Sequence, residues 1–236
     1  MRSEVTAILI DWLKESRSEI NSIAVVGGSS NEPELLELLK IYPEATVSFL
    51  GITQGPQDIP FIELDLNESS VLDQSFDIVI CAQVLEHIWN LDNCMKNLSA
   101  LVSKQNGLMW INCPASNLVH GSPEYFSAGY SHEMISKNLE NHQFEIILTN
   151  SIGSRRLYFF THALQYWPTK FELAHPLLTY RPLRSYGKRL IPETFLGFFG
   201  RLYALLLSNK QLSESQFDTE TYVLARLQSS PKKDAI

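Results

Sequence analysis

The sequence predicts an α/β fold built around a mostly parallel sheet. Two observations carry this reading: short, uninterrupted apolar runs that stop at turn residues, and helix-period segments lying between those runs. A third is their order, strand and helix largely by turns, which right-handed crossovers assemble into one sheet.

The first strand lies in SIAVVGG, an apolar run from Ile23 to Val26 stopped by Gly27 and Gly28. NEPELLELLKIY follows as a helix, with Asn31 as the expected cap, Pro33 early and Glu32 and Glu34 in the first turn. Its apolar stripe is expected from Leu35, Leu36, Leu38 and Leu39. ATVSFLGI is a second strand and PFIELDL a third, with a short helix expected before the next. Residues 76–82, FDIVICA, form a fourth strand whose apolar centre requires cover on both faces. A helix over Leu91–Val102 ends before Gly107, and LMWINCP is the fifth strand. HEMISKNLENH is a helix, FEIILTN the sixth strand, and TETYVLARL, with Tyr222 and Leu224 alternating against polar neighbours, a seventh. Ahead of all these, Val5, Ile8, Leu9, Trp12 and Leu13 share one helical face, so a leading helix packs on the core. Asp11 and Lys14 interrupt that run, leaving it too short and too charged to span a membrane or to act as a cleaved leader.

Composition fits one globular core: 236 residues, 44% hydrophobic and 19% charged. Disordered and fibrous classes are excluded. Cys81, Cys94 and Cys113 are an odd number without metal-ligand spacing, which predicts free thiols in a reducing, cytoplasmic compartment, with neither a disulfide framework nor a metal site. The net charge of −7 is unevenly spread. Residues 155–210 carry nine basic and two acidic side chains, so the rest of the chain is strongly acidic. Such a remainder repels a long polyanion and argues against nucleic acid as a partner.

That basic stretch falls within residues 155–215, between the sixth and seventh strands, with prolines at 168, 176, 182 and 192. It reads as a helical insertion, a cap or lid, inside a single domain spanning 1–236. Phe195, Phe198, Phe199, Leu202, Leu205 and Leu206 form a broad helical stripe there. Three roles stay open. The stripe can be a buried cap helix. It can be a lid that brings Arg181, Arg184, Lys188 and Arg189 to an acidic small-molecule acceptor. Or residues 181–207 can make a peripheral contact with anionic lipid.

Ligands of open parallel sheets bind beyond the carboxyl ends of the strands. After the first strand stand Gly27, Gly28 and Ser29, where bare backbone and a helix N-terminus suit an anion; taken alone, such residues are more often just a turn. After the third strand Asp65 can accept from an amino group, with Leu66 beside it, or can serve as a cap. After the fourth come Ala82, Gln83, Glu86 and His87, the last a candidate base or an ordinary structural histidine. The loop ASNLVHGSPEYFSAGYSHEM, beyond the fifth strand, is dense in groups that handle protons. His120 is the first candidate base, with His132 and His87 behind it, and each is as readily a structural side chain.

The string FDIVICAQVLEHIWNLDNCMKNLSALVSKQNGLMWINCP resembles the central block of class I S-adenosylmethionine-dependent methyltransferases, in which a VLEH-type turn follows the fourth strand. HEMISKNLENHQFEIILT is similar to the helix-then-strand element downstream in that family, and TYVLARL to its antiparallel last strand. The resemblance covers residues 23–152 and 219–228. It implies a Rossmann-like, seven-stranded sheet with helices on both faces and an S-adenosyl-L-methionine cofactor. The cofactor's methionine moiety would lie against Gly27, Gly28 and Ser29, its amino group near Ala82 and Gln83, and its adenine near Asp65 and Leu66, with Ile52 on the other side of the ring. Two of the family's acids are replaced here, by Val25 before the glycines and by Thr53 after the second strand. Losing a carboxylate that grips two hydroxyls costs about 1.5–3 kcal/mol unless Asn31, Glu32 or Gln54 compensates. The expected activity is methyl transfer to a small polar acceptor, such as a sugar or nucleotide-sugar hydroxyl in polysaccharide biosynthesis. The alternative is a methyltransferase-like protein that has lost the cofactor and serves as a binding or scaffolding partner. A nicotinamide-dependent dehydrogenase fits less well, because GGSSNE lacks the GxGxxG spacing.

Overall fold

The computed structural model describes residues 2–53, 59–70, 72–103, 106–116, 123–153 and 218–228. The chain divides into two units, Met1–Ile152 with Thr219–Ile236, and Gly153–Asp218. The readings of residues 155–215 as cap, lid or lipid contact lie outside the described residues.

One seven-stranded sheet organises the first unit. Its strands are β1 (Ser22–Val26), β2 (Thr46–Gly51), β3 (Phe61–Glu63), β4 (Ile78–Ala82), β5 (Leu108–Pro114), β6 (Phe144–Gly153) and β7 (Asp218–Leu227), in the spatial order β3-β2-β1-β4-β5-β7-β6. β1 runs parallel to β2 and β4, β2 to β3, and β4 to β5. β7 enters antiparallel beside β5, with Trp110 opposite Leu224. Ser151 bonds Thr221 while the Gln228 amide bonds the Gln143 carbonyl, so β6 also runs against β7. This is the Rossmann-like sheet expected. The order reverses at β1 and β4, and that switch point fixes where a ligand can enter.

The sheet's period of two sorts its residues onto two covered faces. On one, Val26, Val79, Cys81, Ile111 and Val223 meet α3 (Leu91–Leu101) and α4 (His132–Asn141). On the other, Ile23, Val25, Ile80, Trp110 and Leu224 meet α1 (Arg2–Ser16) and α2 (Pro33–Ile41). Every residue of β4 and β5 is buried, the physical reason for their unbroken apolar runs. Val5, Leu9 and Leu13 of α1 are fully buried, so the leading helix does pack on the core.

Local chemistry sets the ends. The Asn90 side chain accepts from the Asn93 amide at the start of α3, and Ser131 from Met134 at the start of α4. Opposite the switch point, Asp77 Oδ2 accepts from the amides of Asn21 and Ser22 and from Ser22 Oγ, tying the starts of β1 and β4 together.

A few boundaries differ from the sequence reading. Glu32, one residue beyond Asn31, is the N-cap of α2, because Pro33 takes the first helical position. Leu36 is exposed, since Leu35 and Leu38 already fill the buried face. Phe76 makes only an isolated bridge to Val102, so β4 starts at Ile78. Among the described residues no helix joins β3 to β4. The backbone there is held instead by asparagine side chains of α3. No described helix is long and apolar enough to cross a membrane.

Candidate functional site

The carboxyl ends of β1, β2, β3 and β4 converge on one rim, and a 3-10 turn, Leu85–His87, follows β4. At its centre Gly27 adopts φ +68° and its amide donates to the Leu50 carbonyl at 2.7 Å. A β-carbon there would lie 2.7 Å from Val84 Cγ2. Both conformation and space therefore demand glycine. At Gly28 a β-carbon would meet Val25 Cγ1 at 2.8 Å and Glu32 Cγ at 2.9 Å. Glu32 folds back over this turn, its Oε1 accepting from the Ser29 amide at 3.1 Å. A carboxylate thus stands at the glycine turn, although Val25 itself is buried in the core.

Just beyond the end of β2, Ile52 is 68% exposed and Thr53 is exposed. Beyond β3, half-buried Asp65 accepts through Oδ1 from the amide (2.8 Å) and side chain (3.2 Å) of Asn67. Asn67 in turn accepts from the amides of Trp89 and Asn90, and its carbonyl receives the Asn93 side chain. Asn97, buried in α3, donates to the carbonyls of Leu66 and Glu68 and accepts from Ser70. Asp65 is therefore held by a ladder of amides, with Oδ2 outside that ladder. Leu66 turns inward and is buried with Leu64, which leaves it little surface for a ligand.

Ala82 ends β4, and Gln83 follows in the left-handed region at φ +57°, its amide bonded to the Asn112 carbonyl at 2.7 Å. An unbranched non-glycine residue held there marks a constrained rim. Sequence reading does not reach Asn112 or Glu220, whose side chains both touch Gln83. Gln83 and Glu220 are 137 positions apart, and the only signal lies in the period of β5 and β7, which is silent about register.

The 3-10 turn carries the other side of the rim. Amides of Phe126 and Ser127 both donate to the Glu86 carbonyl, at 2.9 and 3.2 Å, clasping the segment beyond β5 onto this turn. Gly129, at φ +148°, passes so close to Ala115 that a β-carbon would lie 2.5 Å from its carbonyl group. His87 hydrogen-bonds the Glu124 carbonyl through Nδ1 and meets Tyr125 edge-on, with centroids 6.2 Å apart. A carbonyl only accepts, so Nδ1 is the donor in this contact. Burial first, then the Glu86 carboxylate, push the Tyr125 hydroxyl above its ordinary value, and burial is also the main cause of the rise at Tyr130. Both phenols stay neutral near pH 7. Trp89 and Phe126, 60% and 52% exposed, add large apolar surface beside this turn.

His132 begins α4, its Nε2 3.2 Å from the exposed Glu133 carboxylate. His120 lies outside the described residues. Among those described, no three His, Cys, Asp or Glu side chains are grouped to hold a metal ion. A cavity of about 500 Å³ opens on the opposite rim, between Glu19, Asn21, Asp77 and Arg226. It faces the amino ends of the parallel strands, away from the switch point.

Residues 41–111 match the family described as methyltransferase domain. No curated protein matches the chain in sequence. Among solved structures, the O-methyltransferase of a Brevibacillus brevis trans-AT polyketide multienzyme, in complex with S-adenosyl-L-homocysteine, is 14% identical, with a TM-score of 0.53 over 94% of this chain and 72% of its own. Coclaurine N-methyltransferase, bound to N-methylheliamine and S-adenosylhomocysteine, is 10% identical, with a TM-score of 0.52 over 94% and 72%. The [4+2]-cyclase SpnF is 12% identical, with a TM-score of 0.52 over 94% and 81%. The architecture is that of the class I S-adenosylmethionine-dependent methyltransferases, and the family match falls on the segment that carries β2, β3, β4 and α3. The chain shares the fold of these structures.

Proposed function

We propose that the protein is an S-adenosylmethionine-dependent methyltransferase acting on a hydroxyl of a small polar acceptor, such as a sugar or nucleotide-sugar. The observation that carries this reading is the Gly27 turn, which has no room for a side chain and lies on the same rim as the fixed Asp65 carboxylate. Bare backbone there suits the methionine moiety, Asp65 Oδ2 can accept from an adenine amino group, and exposed Ile52 offers a face for the ring. Glu32 supplies a carboxylate near the turn, in the neighbourhood that Val25 and Thr53 leave without one. The cofactor, when bound, supplies an electrophilic methyl group.

The protein's own task is to position the acceptor and take its proton. Of the described histidines His87 is best placed for this, because its Nδ1 contact with the Glu124 carbonyl holds the ring on this rim beside Tyr125. His132 is engaged with Glu133, and His120 remains the other candidate. Trp89 and Phe126 supply apolar surface on which the ring faces of a sugar can rest.

One observation favours a second reading. The Ser29 amide, which a ligand carboxylate would seek, is already bonded to Glu32, as in a scaffold that has given up its cofactor. A cyclase on the same architecture also shows that the fold does not dictate methyl transfer. Titration calorimetry with S-adenosylhomocysteine separates the two. Saturable binding is expected; no heat at millimolar ligand would leave only the scaffold.

A further inference from the structure

At the carboxyl end of β4 the Gln83 side chain spends both of its N–H bonds inside the protein. Nε2 donates to Asn112 Oδ1 at 2.8 Å and to Glu220 Oε2 at 3.0 Å. Asn112 is fully buried and likewise uses both amide hydrogens, one on Glu220 Oε2 at 3.3 Å and one on the Thr221 carbonyl at 3.2 Å. An amide can ordinarily turn over and exchange its oxygen for its nitrogen. Here it cannot. The Thr221 carbonyl and an ionised Glu220 carboxylate accept only, which forces Asn112 to face them with Nδ2 and to offer Oδ1 to Gln83. Gln83 must then face both partners with Nε2, and its remaining polar atom, Oε1, is fixed as a pure acceptor at the end of β4.

Resting on the cofactor reading above, we infer that Glu220 and Asn112 are positioning residues which set the polarity of Gln83, so that its Oε1 receives the ammonium group of the cofactor's amino-acid tail. The device spans three strands. Glu220 comes from β7, on the far side of residues 154–217, so the last strand reaches into the cofactor end of the sheet. If Glu220 could donate as well as accept, Gln83 could present N–H groups to a cation, and the site would lose its preference for the charged tail.

Two ligands separate this effect from general damage. S-adenosylhomocysteine carries the ammonium tail, whereas 5′-methylthioadenosine keeps the adenosine and lacks it. The substitution Glu220→Gln nearly preserves shape and restores the ambiguity. It is expected to weaken S-adenosylhomocysteine binding about tenfold, on the scale of one hydrogen bond to a charged group, and to leave methylthioadenosine unchanged. In a Gln83→Met background the same substitution should add nothing, since the amide it orients is gone, and thermal melting of each variant confirms that it folds. Equal losses for both ligands, no loss for either, or an additive effect with Gln83→Met would each overturn the inference. Wild-type protein that binds neither ligand would overturn the cofactor reading itself, and this inference with it.

Discussion

Gly27 and Val84 meet so closely that a β-carbon on the first would lie 2.7 Å from a methyl of the second. The contact joins the turn after β1 to the residue that leads into the 3-10 turn, and it couples two sources of intolerance. Gly27→Ala should destabilise the protein by about 1–3 kcal/mol, partly from the left-handed backbone and partly from overpacking. Pairing it with Val84→Ala should recover the overpacking part alone. Urea denaturation of the four proteins in this cycle measures both, and full recovery would mean that backbone conformation carries no cost.

Asp65 answers for ligand binding more than for stability. Asp65→Asn keeps an oxygen for the Asn67 amide, so the turn should persist and the melting temperature should hardly move. Adenosyl-ligand affinity should fall by roughly tenfold if Oδ2 receives the adenine amino group, on the scale of a charged hydrogen bond. Calorimetry beside a melting curve distinguishes this from Asp65→Ala, which should lose both.

Asn97 shows the reverse balance. It sits buried in α3 and satisfies the carbonyls of Leu66 and Glu68 and the amide of Ser70. Asn97→Leu removes all of these and should cost about 2–4 kcal/mol, since several buried polar groups lose their partner together. A fall in the urea midpoint with an unchanged slope is the expected signature.

Three buried thiols give the fold an alkaline weakness. Burial raises Cys94 to about 12 and pushes Cys81 and Cys113 up strongly as well, with Glu86 adding to the rise at both. The unfolded chain holds its thiols near the ordinary value of 9.0. Below that value both states are protonated and the stabilisation is complete; as pH climbs past it, only the unfolded state releases protons. Stability should therefore decline from about pH 9 upward, by up to about 1.4 kcal/mol per pH unit for each thiol. Cys94→Ala should make the decline shallower between pH 9 and 12, as followed by urea melts. Ellman's reagent at pH 8 should find these thiols silent in the folded protein and reactive in denaturant.

How far the sequence carries depends on the range of the forces involved. Strands such as Leu108–Pro114 were legible to the residue, because burial on both faces leaves an unbroken apolar run. Leu91 and His132 were legible as the starts of α3 and α4, and the structure adds the reason, side-chain caps by Asn90 and Ser131 that act within one turn. Glu32 replaced Asn31 as the cap because Pro33 decides the register of α2 more strongly than a preferred side chain does. The stretch from Asp65 to Ser70 carried no pattern of its own, since its order comes from Asn90, Asn93 and Asn97 far along the chain. Gly27, Asp65 and Gln83 were singled out as candidates from strand ends alone. Asn112 and Glu220 were not, because register between distant strands leaves no local mark.

The place of β7 has a consequence for biosynthesis. It lies between β5 and β6, yet it is made after both and after residues 154–217. While the ribosome is still extending the chain, one edge of β5 waits bare, with its main-chain groups and its apolar Trp110 and Ile111 exposed to the wrong neighbours. Nascent chains halted before Asp218 should be the aggregation-prone form of this protein, and a supplied peptide copying β7 should rescue them by filling the gap.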